Sequence, residues 1–271
     1  MSRPRAGYIG FNRAPAAAES APGVWTLREA EAARRAGTWP DSPDPYFSNV
    51  SLLLHMDGTN GSTTFTDSSL NARSITTSGS PVISTAQSKF GGSSLYLNGS
   101  SYLQIASDST LDFGTGDWTI EFWAFCTDQD NAAYFPPYIS TIGGWSSGSF
   151  AIRYDNIGQS QQFAVFWNPS DPLLASGSTY SFNQWRHVAV VRDGTAIRLY
   201  VNGVQDATTT VSSSRALNLG LGGGCRIGNG AWDGSKGWLT DYVDSLRVTK
   251  GICRYAGGIT FTPPTAAFPS R

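Results

Sequence analysis

Residues 117–125 alternate so that Trp118, Ile120, Phe122 and Ala124 share one side of an extended chain while Thr119, Glu121, Trp123 and Phe125 share the other. A period of two marks a β-strand. Aromatic side chains on both sides predict a central strand, with one face in a core between two sheets and the other covered by a loop or by an N-terminal arm. A second tryptophan-led run, residues 185–192, is followed by Asp193-Gly194 and residues 197–201, which close with Asn202-Gly203. Two such runs joined by Asp-Gly predict a hairpin. Other short apolar runs separated by Gly, Ser, Asn and Asp span 50–56, 74–77, 94–97, 101–105, 149–154, 162–167, 216–221 and 242–249. This predicts about a dozen antiparallel strands forming an all-β sandwich of two sheets. Asn98-Gly99 is expected to close a hairpin between 94–97 and 101–105. The stretch around Gln87 is a brief helical candidate.

Composition agrees with that architecture and narrows the partners. Charged residues make up 14% of the 271, against roughly 25% in an average soluble protein, so Ser, Thr, Asn and Gly supply most of the polarity. The 19 basic and 20 acidic residues give a net charge of -1, and no overall field recruits nucleic acid or an anionic membrane. No apolar run is long enough to span a bilayer, and the N-terminus lacks the apolar segment of a secretory signal. Cys126, Cys225 and Cys253 cannot all pair within one chain, and they read as buried or half-buried thiols.

Residues 1–48 differ from the rest. They hold six arginines and no lysine, and proline recurs at 4, 15, 22, 40, 43 and 45, which prevents regular pairing over most of the segment. It reads as an arm, with the sandwich spanning 49–271. Thr26 with Glu29 resembles a capping box, so a short helix is expected over 27–36, ended by Gly37. A helix that short needs docking. Arg3, Arg5, Arg13, Trp25, Leu27 and Trp39 are the candidate interface residues, on the chain's own sandwich or on a neighbouring subunit.

A family resemblance rests on seven pieces in order: His55-Met-Asp-Gly58, Asp67-Ser-Ser-Leu-Asn71, residues 90–99, residues 118–123, Trp185-Arg-His-Val-Ala189, residues 199–203 and residues 241–248. Together they resemble the laminin-G-like members of the concanavalin A-like lectin/glucanase superfamily over roughly residues 50–262. The resemblance implies a jelly-roll sandwich of two antiparallel sheets. Its members include carbohydrate binders, adhesion modules and structural domains. The arm, with Gly23-Val-Trp25, Glu29 and Trp39-Pro40 leading into residues 50–58, resembles proteins of tailed bacteriophages.

Related glucanases use acidic pairs along one strand, and glycoside hydrolysis needs two carboxyl groups set across the sugar. Glu121 is the only glutamate after Glu31, and Asp241 and Asp244, three apart, are expected on opposite faces. His55 and His187 lie in apolar strand runs outside any nucleophile motif, and no His and Cys have close zinc-ligand spacing. Gly222-Gly-Gly224 lacks a phosphate-loop lysine and reads as a turn. No enzyme is expected. Calcium is the one metal to consider, because Asp57, Asp67, Asn71, Asp233 and Asp241 sit at strand ends and related domains hold calcium at a sheet rim. The alternative role for these residues is capping turns. For a sugar, Trp145, Trp167, Trp232 and Trp238 could stack under a ring while Asn156, Asn168 or Asn229 bond hydroxyls.

The leading expectation is a non-enzymatic bacteriophage virion structural protein, in a head decoration, tail or fibre, made in the host cytoplasm. It would be a homo-oligomer bound to other virion proteins, with no nucleic-acid partner and no membrane insertion. The alternative is a carbohydrate-binding module for host-surface glycans, with calcium as a candidate cofactor.

Overall fold

The computed structural model describes residues 8–9, 25–26, 43–127, 136–142, 144, 146–155, 161–168, 170–230 and 237–271. In chain order the strands are β1 (Tyr8–Ile9), β2 (Trp25–Thr26), β3 (Val50–Leu54), β4 (Ile75–Ser78), β5 (Val82–Ser84) and β6 (Ser94–Tyr96). Then come β7 (Tyr102–Ala106), β8 (Asp112–Gly114), β9 (Trp118–Phe125), β10 (Pro137–Thr141), β11 (Phe150–Asp155), β12 (Gln162–Trp167) and β13 (Ser170–Ala175). The last six are β14 (Trp185–Asp193), β15 (Ala196–Val201), β16 (Val204–Thr210), β17 (Leu217–Asn218), β18 (Gly224–Ile227) and β19 (Tyr242–Lys250).

The chain divides into two compact units, residues 1–44 with Arg271 and residues 45–270. In the first, β1 and β2 pair antiparallel, Tyr8 opposite Thr26 and Ile9 opposite Trp25. Thr26 is therefore extended, and the expected helix over 27–36 lies outside the described residues. So do Arg3, Arg5, Arg13, Leu27 and Trp39.

The second unit is the sandwich. A seven-stranded sheet runs β13-β12-β11-β10-β18-β7-β4, and an eight-stranded sheet runs β16-β15-β14-β9-β19-β6-β5 with β3 also on β19. Every pairing is antiparallel, and β8 with β17 forms a small separate ladder. Strand β9 is central as expected, flanked by β14 and β19. Its Trp118, Ile120, Phe122 and Ala124 enter one core with Phe150, Ile152, Trp167, Val188, Val190 and Val248. Trp118 meets the edges of Phe150 and Trp167 at 5.7 and 6.3 Å between centroids, a geometry that aligns ring edge with ring face. Pro172 lies in β13, at the outer edge of its sheet, where a missing N–H costs no ladder bond.

Two sequence expectations give way here. Strands β6 and β7 belong to different sheets, so Asn98-Gly99 is a corner carrying the chain across the sandwich and not a hairpin. Its backbone is tied to the far sheet connection, Gly99 N–H donating to the Leu239 carbonyl at 3.0 Å. Around Gln87 the chain forms a bend, not a helix. Among the described residues, the helical turns are two short 3₁₀ segments, Phe47–Asn49 and Ala256–Gly258.

The outer face of the eight-stranded sheet is covered by the chain that follows β19. Tyr255 and Phe261 stack in parallel at 3.6 Å, beside Tyr200 and above Ala189 and Val191. Phe268 packs on Val50 and Leu53. A bulge in β19, with Ser245 at φ 47°, turns Leu246 into the core while Asp244 and Arg247 pair with Trp123 and Glu121 of β9.

Candidate functional site

On the seven-stranded sheet, Leu103 and Ile105 of β7 and Cys225 and Ile227 of β18 point into the core. Alternation puts Tyr102, Gln104 and Arg226 on the opposite, outer face. The register aligns Thr76, Gln104, Arg226 and Ser140 in one row across four strands. Beyond β18, residues 228–230 lie antiparallel to 237–239: Gly230 N–H donates to the Gly237 carbonyl, Leu239 N–H donates to the Gly228 carbonyl, and Asn229 opposes Trp238. This pairing sets the Trp238 indole 5.8 Å from the Tyr102 ring at an interplanar angle of 35°. The Arg226 guanidinium lies 4.2 Å above Tyr102. Its Nε donates to Gln104 Oε1 at 3.2 Å and its Nη1 to Asn229 Oδ1 at 3.0 Å. Tyr102, Gln104, Arg226 and Trp238 are all half-buried. Two tilted rings beside fixed planar donors can stack a pyranose and bond its hydroxyls.

Two of the seven expected glycan residues, Asn229 and Trp238, thus meet at one place. Trp145, Asn156 and Trp232 lie outside the described residues. Trp167 is no surface platform: it is fully buried in the core, with Arg215 over its ring at 4.6 Å. Asn168 is half-buried beside it, its carbonyl accepting from Arg215 Nη2. Tyr102, Gln104 and Arg226 were missed because each sits singly between core residues of a strand. The alternation that places Leu103 and Ile105 inside was the available signal.

The expected calcium residues serve different purposes. Asp67 accepts from the backbone N–H groups of Leu53, Ser69 and Arg73, and Asn71 donates to the carbonyls of Val50 and Ser51. Both tie a turn to β3. Asp241 is buried and accepts from Thr127 N–H and the Tyr138 hydroxyl. Asp233 lies outside the described residues. Asp57 is exposed overall, and partial desolvation of its carboxyl group raises its pKa against the lowering effect of His55. Among the described residues no cluster of three His, Cys, Asp or Glu could hold a metal ion.

A second cleft, about 190 Å³, is lined by His55, Met56, Asp57, Thr64, Phe65, Thr66, Ser68 and Ile83. That is below the roughly 300 Å³ at which ligand pockets begin. His55 Nε2 lies 2.8 Å from Ser270 Oγ, and burial lowers the His55 pKa. The other histidine belongs to a sealed polar cluster on β9. Glu121, fully buried, accepts from Arg247 Nη2 at 2.8 Å and from the Tyr255 hydroxyl at 2.6 Å, and its Oε2 lies 3.2 Å from His187 Nε2. Burial alone would raise its pKa, but the Arg247 charge and the His187 and Tyr255 contacts hold it well below the usual carboxylate range. The three cysteines are free thiols: Cys126 and Cys225 are buried and Cys253 is half-buried.

Two antiparallel sheets packed face to face define a jelly-roll-type β-sandwich. The chain belongs to the concanavalin A-like lectin/glucanases superfamily, whose laminin G profile matches residues 97–251. No curated protein matches it. Among solved structures it is similar to the binding domain of Paraclostridial mosquitocidal protein 1, with a TM-score of 0.58 and 14% identity over 78% of this chain and 51% of that one. Domain 4 of AbnA, an extracellular arabinanase of Geobacillus stearothermophilus, in complex with arabinotriose, gives a TM-score of 0.54 and 18% identity over 75% of this chain and 93% of that domain. The botulinum neurotoxin serotype C1 binding domain gives 0.53 and 11% identity over 77% of this chain and 50% of that one. This chain spans about half the length of the toxin binding domains.

Proposed function

We propose that the protein is a carbohydrate-binding module that engages glycans on the outer face of its seven-stranded sheet and performs no catalysis. The carrying observation is the half-buried Tyr102 and Trp238 pair with Arg226, Gln104 and Asn229 fixed beside it. Three things support the reading further. The sandwich's one glutamate is consumed in a sealed cluster on the other sheet. The outer face of that other sheet is covered by the chain's own C-terminal stretch. An arabinotriose-bound domain shares the fold over nearly its whole length.

Binding of the full chain to a glycan array tests this, followed by titration of the best ligand against Trp238→Ala. Loss of one stacking platform is expected to weaken binding by about tenfold or more, since aromatic contacts are worth about 0.5–1.5 kcal/mol beyond their buried area. An array with no ligand, or a Trp238→Ala variant binding as tightly as the parent, sinks the reading.

A place on a virion is the finer proposal, supported by the arginine- and proline-rich sequence of the arm. Removing residues 1–40 should abolish incorporation into particles while glycan binding persists, and unchanged incorporation counts against it.

A further inference from the structure

We infer that the saccharide bound at this site is acidic, with its carboxylate held by Arg226; this rests on the glycan reading above. The argument is one of charge. Arg73, Arg198 and Arg247 of the sandwich each meet a carboxylate, from Asp108, Asp193 and Glu121 respectively, while Arg192 and Arg215 donate to backbone carbonyls away from the aromatic patch. Arg226 meets none among the described residues: its hydrogen-bond partners are two neutral amide oxygens, Gln104 Oε1 and Asn229 Oδ1, and its plane rests on Tyr102.

A half-buried cation is costly unless compensated. Amide oxygens and a ring face orient this one without neutralising it. Those contacts use the Nε proton and one Nη1 proton, leaving both Nη2 protons and the second Nη1 proton for a ligand. A rigid guanidinium with adjacent free donors matches a planar carboxylate through two parallel bonds. The Gln104 amide group, accepting through its oxygen, keeps an NH₂ donor on the same strand row. The groups that Arg226 and Gln104 leave free beside the Tyr102 and Trp238 rings are thus N–H donors, one of them cationic, which suits a sugar ring carrying an anionic group at its edge. A neutral sugar would leave the charge uncompensated. Uronic acids and sialic-acid-type sugars share the required chemistry.

The test uses the full chain and two immobilised sets of oligosaccharides: uronic- and sialic-acid-bearing ones, and the same molecules after reduction of the carboxyl group to an alcohol. The acidic forms are expected to bind about tenfold tighter or more, with the preference shrinking as salt rises from about 0.05 to 0.5 M. Arg226→Gln should bring the ratio of acidic to reduced binding toward one, and Arg226→Lys should retain part of it. Thermal melting checks that both variants fold. Equal binding of the two sets, or an Arg226→Gln variant that keeps the preference, overturns the inference. If reduced or neutral oligosaccharides bind through Trp238 with no acidic preference, this inference fails and the glycan reading stands. If the parent protein binds neither set this inference fails, and if the array yields no ligand either, the glycan reading fails with it.

Discussion

Replacing Glu121 by Gln isolates the charge of the cluster on β9 with little change in volume. The carboxylate is fully buried, and Arg247, only 6% exposed, donates to it through Nε at 3.0 Å and Nη2 at 2.8 Å. An amide keeps one acceptor for the Tyr255 hydroxyl but leaves the Arg247 charge without its counterion. Breaking a buried ion pair from one side costs about 3–5 kcal/mol. The retained acceptor argues for the lower end, about 3 kcal/mol. For a domain of this size each kcal/mol shifts the midpoint by about 2–4 °C, so the variant should melt about 6–12 °C lower. Acid titration supplies a second readout. Because the folded pKa is depressed, the stabilisation is complete above the unperturbed value of 4.5 and is lost as pH falls toward the folded value. Urea unfolding should therefore show the parent losing stability below about pH 4.5, with a shallower loss in Glu121→Gln. A double variant, Glu121→Gln with Arg247→Met, removes the orphaned charge while keeping an acceptor for Tyr255 and should recover part of the deficit. If Glu121→Gln unfolds within about 1 kcal/mol of the parent, or if the double variant is no better than the single one, the cluster is not the ion pair described.

Asp244 carries the opposite sign. Burial raises its pKa to about 6, outweighing the bonds it accepts from Phe90 and Lys89 N–H and from Ser245, with Asp57 adding to the rise. Its contribution favours folding at low pH and is lost as pH rises through about 6, so the stability of Asp244→Asn relative to the parent should increase by about 2–3 kcal/mol between pH 4 and 7 in urea titrations. A pH-independent difference counts against the raised pKa. At Gly203, φ is 78° and a Cβ would lie 1.9 Å from the Phe261 carbonyl oxygen, so Gly203→Ala should cost about 2 kcal/mol or more and speed proteolysis of the segment after β19. Cleavage at the parent rate refutes that. Trp118→Ala, which empties the centre of the aromatic cluster, should cost about 3–5 kcal/mol by chemical denaturation, and a loss under 1 kcal/mol means the cluster repacks.

What the chain revealed in advance depended on whether one side chain could be read against its neighbours. Alternation in β9 was legible because large apolar residues recur at every second position, and the Asp193-Gly194 turn fixed β15 as the hairpin partner of β14. Strand β10 gave no such signal: its apolar residues Pro137, Tyr138 and Ile139 are consecutive, so no period of two shows in its five residues. Asn98-Gly99 carried the right turn residues, yet turn chemistry alone does not say whether the next strand pairs with the last or crosses to the other sheet. Trp167 shows why loop tryptophans mislead. It ends β12 beside a turn, but its register with Phe150 turns it inward. Arg226 has the reverse problem, because its role comes from Gln104, Asn229 and Tyr102, brought beside it only by the pairing of β18 with β7. The capping reading of Asp67 and Asn71 was available from sequence, since it needs only amides and carbonyls a few residues away or on the adjoining strand.

The stretch after β19 gives the molecule a handedness of use. With Tyr255, Phe261 and Phe268 laid across one sheet, that flank is already occupied by its own polypeptide, so on the proposed reading a sugar chain meets the protein from the opposite flank. One open flank per copy also means that a glycan-coated surface would be gripped more firmly only where several copies are displayed together, because release of one contact is then followed by rebinding before the others let go.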